Sequence, residues 1–395
     1  MRRKHLKNVT PGMVLGKTIY GDKYEVLLRQ GVLLTARHIE ALEKRGQVCI
    51  YIEDEETEGI GLDDMISEKV RTTSTKNIID VYNIAKSSLA KERLETYEEI
   101  IKRINTEKFK KSFQESYEFK QLKYNIKSFL AEILNRDVLI GLNTIKTYDN
   151  YIYEHSMDAA IISLVLAKKL RLKNNRLQQI VIGEFLHDIG MIFIDEVIQK
   201  KPDTLTAAEY ELVKQHPKFG YELLMKKDEI GYVAAHIAYQ HHERQDGSGY
   251  PRGLRGKNTI DYGEINYTEE EKLILPAEIS AVADFYDACI SDRPFRPALP
   301  HDLVYELIKD GIWKKFNKEV VDCFLSITPK YLVGSEIKIK NGEYKDFTGF
   351  VTSINKFQLN KPTIRLLYDS EKKKIAPFEI DLSSERKMID MQCIV

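Results

Sequence analysis

Phe185-Leu186-His187-Asp188-Ile189-Gly190 is the stretch from which the rest of the chain is best read. An adjacent His–Asp pair suits a two-metal centre, because the imidazole binds one ion while the carboxylate can span the ~3.5–4 Å between two. Imidazole nitrogen and carboxylate oxygen are ligands that divalent iron and manganese accept. Leu186 precedes the pair and Ile189-Gly190 follow it, so it sits at or near a helix end, where ligands are exposed and backbones can approach closely. Working outward, six of the nine histidines lie between positions 155 and 242: His155, His187, His216, His236, His241 and His242. Asp284, in the Ala281–Ala288 segment AVADFYDA, stands out with them. His241-His242 end a helix expected over Val233–Tyr239. Neighbouring side chains on a helix diverge by ~100°, so both face one cluster only if the helix frays there, which the Glu243–Gly249 loop allows.

A single histidine at a helix end is more often a cap or a satisfied surface group than a ligand. His5, His38 and His301 are read in that way, and His236 as a packing or solvent-facing residue. His216 precedes Pro217, so a C-cap competes with a ligand there. The double His and the His–Asp pair are harder to place without a ligand, since buried polar atoms need partners.

Composition narrows the function classes. At 395 residues the chain exceeds one ordinary core, and two or three domains are expected. Lys plus Arg and Asp plus Glu both number 60, so no global field favours long nucleic acid. A small anion needs only a local cluster of cations. Four cysteines, none at CxxC spacing, argue against a thiolate metal site or a disulfide framework. The opening MRRKHLKNVTPG is basic but has no apolar stretch of a secretory leader. No apolar run nears the ~20 residues that cross a bilayer, so a soluble, cytoplasmic protein without a membrane span is expected.

The pattern changes along the chain. Tyr24–Leu28, Val32–Leu34 and Val48–Ile52 read as strands, with a turn at Gly31 and a helix over Thr35–Arg45. An acidic linker, EDEETEGIGLD, covers 53–63, and residues 65–135 read as two or more amphipathic helices, the last over Lys120–Asn135. Helical spacing recurs over Met157–Leu170, Arg176–Leu186, Ala207–His216, Val233–His241, Pro276–Ile290 and Asp302–Lys309. The Gly-rich Asp246–Lys272 loop is long enough to be functional or mobile. Beyond Pro329 the period falls to two, with strands over Glu336–Ile339, Gly349–Ile354 and Thr363–Leu367.

Several blocks, in order, resemble the HD-GYP family of the HD superfamily of metal phosphohydrolases. Residues 149–156 (DNYIYEHS) are similar to the family's entry helix, and 185–190 to its HD block. Lys201-Pro202, Leu205-Thr206, Glu209, His216-Pro217 and Gly220 follow. His241-His242-Glu243-Arg244 leads into Asp246-Gly247-Ser248-Gly249-Tyr250-Pro251. Ala281-Val282-Ala283-Asp284, Tyr286-Asp287-Ala288, Ser291-Asp292-Arg293-Pro294 and Arg296 close the set, which covers about residues 130–300. VTPGMVLGKTIYG and YLVGSEIKIKNGE resemble, less specifically, modules that flank this domain.

The resemblance implies a multidomain, mainly α-helical HD-type bundle with small β-rich terminal domains. A small α/β regulatory domain would span 1–58, a helical linker 59–128, the catalytic domain 129–328 and a β-rich domain 329–395. It implies two divalent ions, iron first and manganese second. Asp188 would bridge them, His155, His187 and Asp284 completing one site and His216, His241 and His242 the other. A carboxylate four residues before the first His, which binds a third ion in some members, is Tyr151 here. The implied activity is a phosphodiesterase opening cyclic di-GMP to pGpG, sometimes on to GMP, with Asp188 and His187 at its catalytic heart. Arg293, Arg296 and Tyr250 would contact substrate. Diguanylate cyclases (GGDEF proteins), through the Tyr250 loop, and a second copy of the chain are the implied protein partners. The chain departs from the family at Met191 (usually Lys), at Phe193, Asp195 and Glu196, at Gln245 (commonly aromatic) and at Glu278 (commonly Arg). A missing cation near the scissile phosphate costs roughly a few kcal/mol of transition-state stabilisation, so a slow enzyme or a cyclic di-GMP receptor is the second reading.

Overall fold

A computed structural model describes residues 1–21, 23–89, 96–142, 146, 150–201, 203–225, 229–263, 272–292, 297–384 and 389–394. The N-terminal part holds β1 (Arg2–His5), β2 (Val14–Leu15), β3 (Ile19–Tyr20), β4 (Val26–Leu28), α1 (Ala36–Lys44) and β5 (Cys49–Glu53). One sheet runs β1-β5-β2 and a separate pair is β3-β4. The expected strand at 32–34 shrinks to an isolated bridge, Leu33 to Val14, flanked by the Leu15 N–H on the Val32 carbonyl at 2.9 Å and the Leu34 N–H on the Met13 carbonyl at 2.8 Å, while β4 pairs antiparallel with β3. The turn at Gly31 therefore does not make a hairpin. A left-handed Tyr24 (φ 57°) precedes β4 instead, where the chain doubles back on β3.

Eleven of the helices that follow carry the body of the molecule: α2 (Glu68–Leu89), α3 (Tyr97–Ile104), α4 (Glu107–Gln114), α5 (Tyr117–Ile133), α6 (Tyr151–Lys169), α7 (Asn174–Leu186), α8 (Glu196–Gln199), α9 (Ala207–Val213), α10 (His216–Leu224), α11 (Glu229–Gln240) and α12 (Leu275–Ile290). Then come α13 (His301–Asp310) and α14 (Lys318–Ile327). Local chemistry sets several starts. Thr96–Glu99 and Thr206–Glu209 form reciprocal capping boxes, and Asn317 caps α14; each cap stabilises by ~1 kcal/mol. One continuous apolar core runs from Met65 to Ile327, so α2 and α5 bury their apolar faces together with α6, α7, α11 and α12. At its centre α6 is buried on every face from Glu154 to Ala167. Ala159, Ala160 and Ala167 let its neighbours approach, and the ionisable groups it buries must be paired within the core. No helix among the described residues is long and apolar enough to cross a membrane.

The C-terminal part is a five-stranded antiparallel sheet of β6 (Glu336–Ile339), β7 (Thr348–Ser353), β8 (Thr363–Tyr368), β9 (Lys374–Asp381) and β10 (Met391–Cys393), in the order β10-β6-β7-β8-β9. It leans on the segment that follows β5, where Ile60 packs with Phe350 and Leu367 and Arg365 Nη1 donates to the Glu58 carbonyl at 2.7 Å.

His301 is neither a cap nor a surface group. It is buried, bonded to the Tyr286 hydroxyl, with Nδ1 on the Lys330 carbonyl at 3.1 Å. Burial pushes it down to about 4, and burial with the Arg252 charge does the same to His236, about 4. Both imidazoles are thus neutral in the fold while the unfolded chain takes up protons near pH ~6.5. The unfolded state binds more protons, so stability is complete above pH ~6.5 and drains away as pH falls toward 4. We expect each histidine to cost about 2 kcal/mol by pH 5, seen as a lower urea midpoint at pH 5 than at pH 7. Equal midpoints would show that these rings are not held neutral.

Candidate metal centre

Three of the histidines share one local device. His187 ends α7 and its Nδ1–H donates to the Glu184 carbonyl at 2.8 Å. His216 follows α9 and donates to the Val213 carbonyl at 2.7 Å. His241 follows α11 and donates to the Ala238 carbonyl at 2.9 Å. In each case the acceptor is three residues back, one of the carbonyls that a helix end leaves over. Committing Nδ1 fixes the tautomer and turns an Nε2 lone pair inward. His216 is thus not a C-cap by side chain alone. It also opens α10, with Pro217 in the first turn where no N–H is missed.

The structure brings the seven residues singled out from the sequence to one place. His155, His187 and Asp188 have ligand atoms within 4.8 Å of one another, as do His216, His241 and His242. Asp188 lies between the groups. Its Oδ2 is 3.5 Å from His187 Nε2, while Oδ1 is 3.2 Å from His216 Nε2 and 3.8 Å from His241 Nε2. Asp284, from α12, makes a second link: Oδ1 is 3.0 Å from His155 Nε2 and Oδ2 is 3.8 Å from His242 Nδ1. α11 stops at Gln240, and the His241 and His242 rings then lie 4.0 Å apart.

These donors fit divalent cations. His187 Nε2 is buried without a hydrogen-bond partner. His216 Nε2 and His241 Nε2 face each other at 3.3 Å with both Nδ1 protons committed elsewhere, an apposition of lone pairs that a shared cation resolves. Charge states match at Asp188, Asp284, His241 and His242. At His155 burial is outweighed by Tyr151, Asp284 and Asp287, which raise the imidazole well above its usual value, so a cation there must displace a proton. Burial works against the Asp188 carboxylate, but His187, His216 and His241 outweigh it and hold the group well below its usual range. The same contest, won by His155 and His242, lowers Asp284. Burial pushes His241 down, and His242 down to about 4, so both stay neutral donors.

Tyr151, at the position that a third carboxylate ligand would take, stacks parallel to His155, ring centroids 5.5 Å apart. Tyr250 lies against His242 at 4.7 Å, its N–H on the His242 carbonyl at 3.2 Å, so its ring forms a wall of the site. Arg293 and Arg296 lie outside the described residues. The 246–255 loop is not loose: Glu243 accepts the Arg252 and Leu254 N–H groups at 2.8 and 2.9 Å, and Asp246 bridges to Arg255. Two departures from the family pattern prove to be partners. Gln245 Nε2 donates to Glu278 Oε1 at 2.7 Å, joined there by Asn317 Nδ2 at 3.1 Å. Met191 packs half-buried against the main core.

Sequence reasoning missed one residue at the site itself. Asp287, one α-helical turn after Asp284 on α12, accepts the His155 Nδ1–H at 2.6 Å. Its i+3 spacing from Asp284 was the available signal, since residues three apart share a helix face.

Residues 142–303 match the family model of the HD domain. The chain is 28% identical over 245 residues to the cyclic di-GMP phosphodiesterase PA4108 of Pseudomonas aeruginosa, covering 62% of this chain and 54% of that one. It is 34% identical over 193 residues to a cyclic di-GMP phosphodiesterase of Thermotoga maritima, covering 48% and 49%. A 3'3'-cGAMP-specific phosphodiesterase of Vibrio cholerae is 28% identical over 177 residues, covering 45% and 35%. The chain thus spans about half the length of the first two of these curated relatives. An HD domain implies divalent metal binding, and the His/Asp clusters described above lie within its limits.

Proposed function

We propose, from the premise that residues 142–303 form an HD domain of the HD-GYP type, that this chain is a cytoplasmic, metal-dependent phosphodiesterase that hydrolyses cyclic di-GMP to pGpG, and in part to GMP. The observation that carries the reading is Asp188, whose two oxygens face separate nitrogen clusters. In this reading His155, His187, Asp188 and Asp284 hold one ion and Asp188, His216, His241 and His242 the other, iron being the first choice and manganese the second. Two such cations, when bound, acidify water and neutralise charge on phosphate oxygens.

The protein's own share is positioning and shielding. The Nδ1 anchors keep three imidazoles from rotating, and burial keeps His241 and His242 neutral. The exposed edge is formed by Asp188 (19%), Asp284 (15%) and His242 (26%), whereas His187, His216 and His241 are at most 3% exposed. A phosphodiester thus approaches over the two carboxylates with Tyr250 at its side, where the ring can lie against a base. Arg293 and Arg296 would supply the donor fork for phosphate or a guanine edge. Because Tyr250 packs inward on His242, we favour substrate contact for it over contact with a diguanylate cyclase. The units 1–58 and 329–395 are proposed to regulate the domain between them.

The test is incubation of the full chain, loaded anaerobically with iron or with manganese, with cyclic di-GMP and separately with 3'3'-cGAMP. Release of pGpG, faster than opening of 3'3'-cGAMP, is expected. Cyclic di-GMP left intact over hours with either metal overturns the reading. Met191 favours a weak enzyme or receptor as the second reading. Met191→Lys is expected to raise kcat about tenfold or more, and an unchanged kcat would remove that reading's support.

A further inference from the structure

His155 is not anchored by its own helix. Its Nδ1–H donates to Asp287, on α12, at 2.6 Å, while its Nε2 faces Asp284 at 3.0 Å. Asp287 is ion-paired with Lys146, and the same ammonium reaches Asp158 Oδ2 at 3.2 Å. Arg71 Nη1 closes the chain, at 3.1 Å from Asp158 Oδ1 and 2.8 Å from Glu154 Oε2. Thr75 Oγ1 also reaches Glu154, at 3.4 Å, and the Tyr24 hydroxyl bonds to it. Glu154, Asp158 and Asp287 are 1–2% exposed. The network therefore sets two cations, Arg71 and Lys146, against three carboxylates in the core. Arg71 lies on α2 and Tyr24 beside β3, both before the residues that match the HD domain.

Charge balance gives Arg71 a specific job. While it neutralises Glu154 and Asp158, Lys146 is free to hold Asp287, and Asp287 is free to hold the His155 ring. Without Arg71 two further buried carboxylates compete for one ammonium, and buried carboxylates do not stay unpaired. Lys146 is drawn toward α6, and the acceptor that orients His155 loses its clamp. We propose that Arg71 is a positioning residue for the metal centre: acting through Lys146 and Asp287, it sets how firmly His155 is held, so that the placement of α2 tunes metal affinity. The inference rests on the proposed metal centre, but its test does not depend on the substrate.

The experiment measures Mn²⁺ affinity of the full chain by competition with a chelator, together with the unfolding temperature of the metal-free protein. Loss of a partner that orients a ligand costs about tenfold to a hundredfold in metal affinity. Asp287→Asn sets that ceiling, Arg71→Gln is expected to lose about tenfold, and Arg71→Lys, which keeps the charge, lies between it and wild type. On the Asp287→Asn background Arg71→Gln should add less than twofold, because its route to His155 is already cut. Glu154→Gln removes a competing carboxylate and should leave affinity unchanged or tighter. Unchanged affinity in folded Arg71→Gln, full additivity with Asp287→Asn, or an equal loss in Glu154→Gln each overturns the proposal. If Arg71→Gln does not fold, Arg71→Lys carries the same cycle, with a several-fold loss expected only where Asp287 is intact. Wild-type protein that binds no Mn²⁺ sinks the metal centre itself, whereas binding that ignores Arg71 sinks this inference alone.

Discussion

Asp188→Ala is expected to lower phosphodiesterase turnover at least a thousandfold, about 4 kcal/mol of barrier, and to release metal from both clusters at once. The two oxygens of Asp188 face both nitrogen sets, at 3.5 Å on one side and 3.2 Å on the other, closer on the second side than the 3.8 Å by which Asp284 reaches His242. Removing a terminal histidine leaves three ligands on its ion. Removing Asp188 takes a ligand from each ion and the negative charge that offsets their mutual repulsion. The fold should survive, because the missing group lies at the exposed edge of the site and its histidine neighbours keep their carbonyl anchors. Metal content and product release, measured beside the unfolding temperature of the metal-free protein, separate these effects. Retention of two metals per chain would show that Asp188 bridges nothing.

Gly190→Ala is expected to be nearly as damaging, for a steric reason. A Cβ at residue 190 would stand 2.0 Å from the His216 carbonyl oxygen and 2.7 Å from the Gly220 nitrogen, both backbone atoms. Neither can turn aside, so the 189–193 turn and α10 must separate. Overpacking of this kind costs about 1–3 kcal/mol of stability. His216 moves with α10, and a displacement of ~1 Å in a reacting centre can cost ~100-fold in rate. Gly220→Ala makes a fair comparison: its Cβ is tight against the Ala238 methyl alone, at 3.2 Å, with the Gly190 nitrogen and the His187 carbonyl oxygen at an ordinary 3.6 Å, and should cost much less. Turnover and unfolding temperature of the two variants decide the matter. A Gly190→Ala enzyme as active as wild type would mean that the turn has room the structure does not show.

The ligands were legible because each stands out against local expectation. A His–Asp pair after an apolar helix, and two adjacent histidines where a helix must stop, have few uses other than a shared polar centre. His301 was misread because helix-start position alone does not reveal that Tyr286 and the Lys330 carbonyl close over it. The expected strand at 32–34 shortened to a bridge because the segment it meets, β2, is only two residues long, which an apolar triplet does not reveal. Gln245 and Glu278 looked like two separate departures until their separation of 33 positions was folded away and the side chains met at 2.7 Å.

By itself the sequence determined which residue types are available for metal chemistry, the order of helices that present them, and the period-two sheet at the end. Those properties depend on neighbours within a turn or two of the chain, where spacing, caps and breakers act. Only the tertiary structure decided that Asp188 points one oxygen at each histidine set, that Asp287 grips His155, and that Arg71 on α2 reaches the same network. Such choices are made by charges that cannot remain unpaired in the core, and their partners come from distant helices that meet only when the apolar faces close.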